Sequence, residues 1–298
     1  KNKIDKLASG EKEWILTSGW RNDVVNSDDY RAYVGGTSGL IYGYVNDGFY
    51  TVADFESFDS KSRTWKLKEG VVDSSPLSDT PRPGNAKFKK LTPVDPNSTN
   101  PYQLTEADRT VIGNTTPKFS GGFGLNATYK GFDMSMFFNF MYDFDVLNAN
   151  KIMLTTWADN KENNFLMDIA SDKRWRNFDD MGNEIRYSPE VLAEFNKNAT
   201  MWNPTSIGRP ICMSYAVEDG SFLRLNSATL GYTLPSVWTK KVGLSKVRFY
   251  VSGNNLFTLT GYSGYDPEVN IATGLTPNID YDRYPRSRTY TFGAQLTF

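Results

Sequence analysis

Residues Phe119–Tyr142 read FSGGFGLNATYKGFDMSMFFNFMY, and their alternation decides the fold. One parity of the first half holds Phe119, Gly121, Phe123, Leu125, Ala127 and Tyr129, and the other holds Ser120, Gly122, Gly124, Asn126 and Thr128. After Lys130-Gly131 the pattern resumes: Phe132, Met134, Met136, Phe138 and Phe140 alternate with Asp133, Ser135, Phe137, Asn139 and Met141. A period of two is the mark of a strand with one apolar face. Lys-Gly between two such runs predicts a tight hairpin. Each run is about eleven residues, enough to cross a bilayer at a tilt. Gly121-Gly122-Phe123-Gly124 superficially suggests a phosphate loop, but it lies inside an alternating run with no helix after it. Small residues that leave interior space account for it better.

The same pattern recurs outward from this hairpin. The C-terminus places Tyr290, Phe292, Ala294, Leu296 and Phe298 on one parity, against Thr291, Gly293, Gln295 and Thr297. Ser221–Leu234 and Val247–Thr258 are further strand candidates, although Arg224 and Asn226 share a parity with Phe222, Ala228, Leu230 and Tyr232. Tyr30–Tyr50 suggests one or two more strands and Glu13–Trp20 another, for seven or eight in all. The connections near Gly131 and Trp238 are short. Those over Asp47–Pro117, Asp143–Gly220 and Gly261–Ser287 are long. Since strand direction alternates, long loops and tight turns fall at opposite ends, the layout of an outer-membrane barrel. Within the second long loop Leu147–Ile169 has helical composition, and Ser188-Pro189-Glu190 reads as a helix start with proline in its first turn.

Composition narrows the function. The 298 residues carry 33 basic and 34 acidic groups, one cysteine and no histidine. The commonest general base and metal ligand is therefore missing, and Cys212 alone makes neither a disulfide framework nor a multi-cysteine metal site. A net charge of −1 gives no footprint for nucleic acid. No run approaches the roughly 18 apolar residues of a membrane helix. We expect no enzyme, no cofactor and no metal. The adjacent acids Asp28-Asp29 and Asp179-Asp180 read as solvated loop charges rather than an acid/base pair. Lys1–Leu7 has no apolar signal segment and no start methionine, as expected of a processed chain or of the interior of a longer one.

Seven or eight strands would close only the narrowest barrel, which side chains fill. The Gly-, Ser-, Thr- and Asn-rich inner parities suit a wide, wet interior, and an open sheet in lipid leaves unpaired edges. The expected fold is therefore all-β: a transmembrane antiparallel β-barrel segment, part of a larger barrel. A secreted aromatic-rich β-sandwich that binds glycans is the alternative, and the asymmetric loops argue against it.

Several motifs run through the chain in order. They are Val34-Gly35-Gly36, Tyr42-Gly43-Tyr44, Asp47-Gly48-Phe49, Asp108–Asn114, Thr116–Phe119, Tyr129–Asp133, Glu218–Leu225, Leu230–Pro235, Val251–Phe257, Gly264–Glu268 and Tyr284–Thr291. Together they resemble the SusC/RagA-type TonB-dependent outer-membrane transporters of Bacteroidetes. The resemblance implies that residues 1–298 are the C-terminal portion of a barrel of about 22 strands, with long extracellular loops. The plug domain and the N-terminal strands would be absent from this chain. It implies import of a large nutrient, an oligosaccharide or a peptide, through the outer membrane. The partners implied are a SusD-like surface lipoprotein lid, TonB acting through the missing plug, the remainder of the barrel polypeptide, and lipid or lipopolysaccharide. Val94–Pro101, where the family often carries an acidic loop similar to a calcium site, holds a single carboxylate and no glycine, too few oxygen ligands for that ion.

Candidate residues follow. Trp65, Trp157, Trp175 and Trp202 fall in the two longest loops, where they either pack the loops together or against the lid, or stack on substrate. Tyr290, Phe292, Leu296 and Phe298 form a terminal aromatic strand resembling the assembly signal of bacterial barrels, and Tyr129, Phe132 and Tyr142 join Tyr290, Phe292 and Phe298 as girdle residues. Arg286 and Arg288 beside Tyr284 could line the mouth or pair with loop acids.

Overall fold

The computed structural model describes residues 3–7, 14–17, 28–77, 80–156, 164–207, 210–268 and 274–298. They form two compact units. One takes Lys1–Thr115, Leu147–Val217 and Asn270–Asp282, and the other Thr116–Val146, Glu218–Val269 and Arg283–Phe298.

The second unit is built on a five-stranded antiparallel sheet. Its strands are β1 (Phe119–Tyr129), β2 (Phe132–Tyr142), β3 (Phe222–Thr233), β4 (Lys246–Thr260) and β5 (Thr289–Thr297). Each neighbours the next in chain order, an up-and-down meander. The alternating runs predicted from sequence coincide with these strands to within one or two residues. Lys130 and Gly131 close the first hairpin with φ of 45° and 89°, the left-handed pair that a two-residue turn matched to strand twist requires. The link between β3 and β4 is a single turn of helix, Ser236–Thr239, ending at Gly243 with φ 75°. Its opposite counterparts, from β2 to β3 and from β4 to β5, are the long ones.

Parity is broken once. Pairing of β2 with β3 shifts register between Phe137 and Phe138, and pairing of β3 with β4 shifts between Leu225 and Ser227. A bulge moves every later side chain to the other face. Leu223 and Leu225 therefore share a face with Ala228, Leu230 and Tyr232, whereas Phe222 and Arg224 take the opposite one. This removes the conflict in which Arg224 shared a parity with Leu230 and Tyr232.

The first unit is a loop-built body. Trp14–Thr17, Tyr30–Tyr33, Leu40–Gly43 and Thr110–Asn114 form its four-stranded sheet. Of Glu13–Trp20, residues 13 and 18–20 lie outside the described residues. Strands form where Tyr30–Tyr50 suggested them, and Tyr30–Tyr33, Leu40–Gly43 and Thr110–Asn114 are only four or five residues long. At about 3.3 Å per residue they fall short of the nine to eleven residues or so that a bilayer needs. Alternation over four residues has the same look in either setting. Pro189–Phe195 is helical with proline in its first turn, as expected. Leu147–Ile169 is helical only at Ala149–Met153 and, as a 3₁₀ turn, at Met167–Ile169.

Three apolar clusters hold this unit. Tyr30, Ile41, Ile152 and Cys212 belong to one, Phe88, Leu104, Trp202 and Met213 to the second, and Trp175, Ile185 and Leu192 to the third. The second unit has one small cluster, Phe144, Val146, Phe222 and Tyr262.

Candidate functional site

The sheet of the second unit has two chemically distinct faces. Cross-strand partners point the same way, so the register puts Phe123, Phe138, Leu225 and Phe257 in one row, and Leu230, Val251 and Phe292 in another. These rows are apolar, and much of the face is open: Leu125, Phe249, Tyr290, Phe292 and Leu296 are all at least half exposed. Aromatic pairs mark its two ends. Phe119 and Tyr142 stack at 4.9 Å, and Phe132 lies 4.5 Å from Tyr232 near the hairpin. From Phe119 to Tyr129 the strand rises roughly 33 Å at about 3.3 Å per residue. At a tilt near 40° that is about 25 Å of height, the apolar band of an outer-membrane barrel.

The other face is polar, and an ion pair crosses it near the hairpin. Arg248 of β4 donates from Nε to Asp133 Oδ1 of β2 at 2.9 Å, with a second bond from Nη2 to Oδ2. To do so it passes over β3 at Gly231, where a Cβ would lie 2.4 Å from Nη2. Gly122 on the same face is covered by Phe137, whose ring would meet an added Cβ at 2.8 Å. That glycine accommodates an aromatic neighbour rather than opening interior space.

Beside the bulge lies a buried charge cluster that sequence reasoning missed. Arg224, 1% exposed, donates to Asn255 Oδ1 at 2.5 Å and Asp266 Oδ1 at 2.5 Å. Its Nε is 2.9 Å from Glu268 Oε2, a charge contact outside hydrogen-bond alignment. Arg286 reaches Glu268 at 3.4 Å, and the amide of Asn255 donates to the Arg286 carbonyl at 2.9 Å. Asn255 holds φ 56°, a left-handed conformation that asparagine tolerates better than branched residues. Four of the recurrent motifs meet here: Glu218–Leu225, Val251–Phe257, Gly264–Glu268 and Tyr284–Thr291. Two arginines face two carboxylates, so the cluster is neutral and ties the 261–288 connection to β3 and β4.

In the first unit the motif Asp108–Asn114 has a comparable explanation. Asp108 Oδ2 accepts from the Thr105 amide and hydroxyl, and Oδ1 from the Leu91 and Thr92 amides and the Thr92 hydroxyl. Burial alone would raise its pKa, but these bonds outweigh it and hold the carboxyl well below the usual carboxylate range. Arg109 donates to the backbone oxygens of Asp28 and Tyr42 and lies over the Tyr42 ring at 4.7 Å. Asp29, expected to be a solvated loop charge, is instead fully buried beside the core residue Tyr30. Burial pushes the Tyr50 hydroxyl up to about 12.

The tryptophans take different positions. Trp202 is buried, donates from Nε1 to the Thr155 carbonyl at 3.3 Å and lies edge-on to Tyr215. Trp175 is buried against Ile185 and Leu192, with Phe49 at 5.7 Å. Trp65 is half-buried between Phe55 and Phe58. Trp175 and Trp202 are thus core residues of the first unit. Trp157 lies outside the described residues. Tyr290, Phe292 and Leu296 sit on the apolar face of β5, and Phe298 follows it, 90% exposed.

A tilted antiparallel sheet with one face apolar and exposed defines a stretch of transmembrane β-barrel wall, open at both edges among the described residues. No family model matches the chain. It is 32% identical over its whole length to TonB-dependent receptor P3 of Formosa agariphila, covering 26% of that protein. It is 36% identical over 88 residues to TonB-dependent receptor SusC of Bacteroides thetaiotaomicron, 28% of this chain and 8% of that one. The solved RagAB peptide transporter superposes on 99% of the chain, and on 26% of its own, with a TM-score of 0.60 at 21% identity. Over its whole length the chain is related to the TonB-dependent receptors, a family of outer-membrane proteins. It spans about a quarter of the length of the first of these relatives.

Proposed function

We propose that the chain supplies the C-terminal wall of an outer-membrane importer of about 22 strands, together with extracellular loops that face a SusD-like lipoprotein lid. The cargo is a nutrient too large for a porin, an oligosaccharide or a peptide. TonB acts through a plug contributed by other residues of the same polypeptide. The observation that carries this reading is the apolar face running across all five strands. An apolar surface that wide on a water-soluble protein would drive association, whereas lipid is its natural neighbour. Both edge strands, β1 and β5, bond a single neighbour among the described residues. Unpaired edge groups cost several kcal/mol or so each in lipid, so further strands must flank them. One sheet with an open apolar face also argues against a sandwich, whose two sheets cover each other.

The test is fractionation of the full polypeptide that contains these residues, with a heat-dependent shift in gel mobility as the sign of a folded barrel. Recovery in the detergent-extracted outer membrane with that shift supports the proposal. A stable, water-soluble monomer would overturn it.

A further inference from the structure

A cleft of about 680 Å³ opens in the first unit, and a second of about 220 Å³ shares Arg82, Asn177 and Arg186 with it. Five arginines line the pair: Arg63, Arg82, Arg174, Arg176 and Arg186. No lysine does. The one acid in the lining, Asp179, is committed to its own turn, accepting from the Met181 and Asn183 amides at 2.9 and 2.8 Å and from the Asn183 side chain at 2.9 Å. Asp180 and Glu184 pair with Arg176 and Arg186 at 2.8 and 2.5 Å. Arg174 donates to the Ile169 carbonyl, and neither it nor Arg63 meets a carboxylate among the described residues.

Like charges gathered in one cleft repel, and the fold holds them there by stacking. Arg63 and Arg186 lie over the Tyr187 ring at 4.8 and 5.7 Å, Arg186 over Phe178 at 5.4 Å, and Arg176 over Phe195 at 4.4 Å. A guanidinium so oriented presents a fixed fork, which matches carboxylate and sulfate oxygens. The wall also holds an unsatisfied donor: the buried Nε1 of Trp175 has no partner among the described residues. Such groups call for an explanation at a site.

We propose that this cleft binds an acidic oligosaccharide, a sugar chain bearing carboxylate or sulfate groups; the inference rests on the importer reading and names the class of its cargo. Asn85, Asn203 and Thr205 of the larger cleft offer amide and hydroxyl partners for sugar hydroxyls, and Phe178, 46% exposed, offers a flat ring face. The volume falls in the range of small-molecule sites. No residue lining the larger cleft lies in a strand that could add a peptide by edge pairing, which favours sugar over peptide.

The experiment is titration of the purified full polypeptide with tetragalacturonate, a sulfated carrageenan tetrasaccharide, maltotetraose and tetraglutamate, in low and high salt. At least one of the acidic sugars is expected to bind about tenfold or more tighter than maltotetraose and tetraglutamate, and more weakly in high salt. Which one does so distinguishes carboxylate from sulfate. Arg174→Gln and Arg63→Gln should each weaken that binding about tenfold while the heat-dependent gel shift is retained. Binding of maltotetraose or tetraglutamate as tight as that of both acidic sugars overturns the proposal, as does wild-type affinity in both variants. A polypeptide that fractionates with the outer membrane yet ignores acidic sugars overturns this inference alone.

Discussion

Phe292 and Trp202 are both large aromatic side chains in one chain, yet Phe292 is 79% exposed and Trp202 2%. The difference separates the two units. In the sheet, apolar side chains point outward and polar ones inward, and the interior charges are balanced pairs: Arg248 with Asp133, and Arg224 and Arg286 with Asp266 and Glu268. In the loop-built unit, apolar side chains point inward to the cores, and two arginines of its clefts, Arg63 and Arg174, meet no carboxylate among the described residues. The first arrangement needs lipid as solvent on one face, and the second has the inward-packed cores of a body that folds in water. A strand pattern reports only that two faces differ; exposure and charge balance report which solvent each meets.

The largest effects should fall one on each unit. Arg224→Ala leaves Asp266 buried without its cation and Glu268 with Arg286 alone, a loss of about 3–5 kcal/mol, read as earlier protease cleavage within residues 261–288. Trp202→Ala opens a cavity at a similar cost of about 3–5 kcal/mol, read as cleavage within residues 143–220 while the gel shift of the barrel persists. Phe292→Arg should destabilise the barrel by about 2–4 kcal/mol if its place is near the bilayer midplane. Thr291→Arg, one residue away on the inner face, should be far milder in the same unfolding measurement.

Asp108→Asn should cost roughly 1.5–3 kcal/mol, because an amide group cannot accept from both sets of donors. The sign of its pH dependence follows from a pKa below the unfolded value. Its contribution is complete above about pH 4 and is lost as pH falls from there through the folded value. The wild-type turn at Leu91–Thr92 should keep its hydrogen-exchange protection to well below about pH 4, and the variant should lack it at every pH. At the small end, Lys197→Ala removes a surface pair with Glu194 whose side chains are 60% and 73% exposed. It should change stability by less than about 0.5 kcal/mol.

Much of the sheet was legible because period two persists over each strand and Lys130-Gly131 gives the turn its chemistry. The bulge at Leu225–Ser227 was not: one extra residue makes a regular strand look contradictory, as Arg224 beside Leu230 did. Four-residue strands such as Tyr30–Tyr33 were legible as strands but not in length, which is what separates them from membrane strands. Arg224, Asp266, Glu268 and Arg286 stood in separate motifs, and only the register of β3 with β4 and the path of the following connection bring them together. The arginines of the clefts are more than a hundred residues apart at the extremes and share no local pattern. The tryptophans showed the reverse problem: their loops were visible, but their burial depends on neighbours distant in sequence.

The central claim is that the apolar face meets lipid and the opposite face meets water. Single cysteines bearing nitroxide labels, placed in turn at Phe249, Val251, Phe292 and Leu296 and at Arg248, Thr291 and Gln295 in bilayer-reconstituted protein, test it most directly. Cys212 does not compete, since it is buried and burial pushes its thiol up. We expect labels of the first group to be reached by oxygen and shielded from a water-soluble paramagnetic reagent, and those of the second to show the reverse. Equal access of the aqueous reagent to both groups would contradict the account.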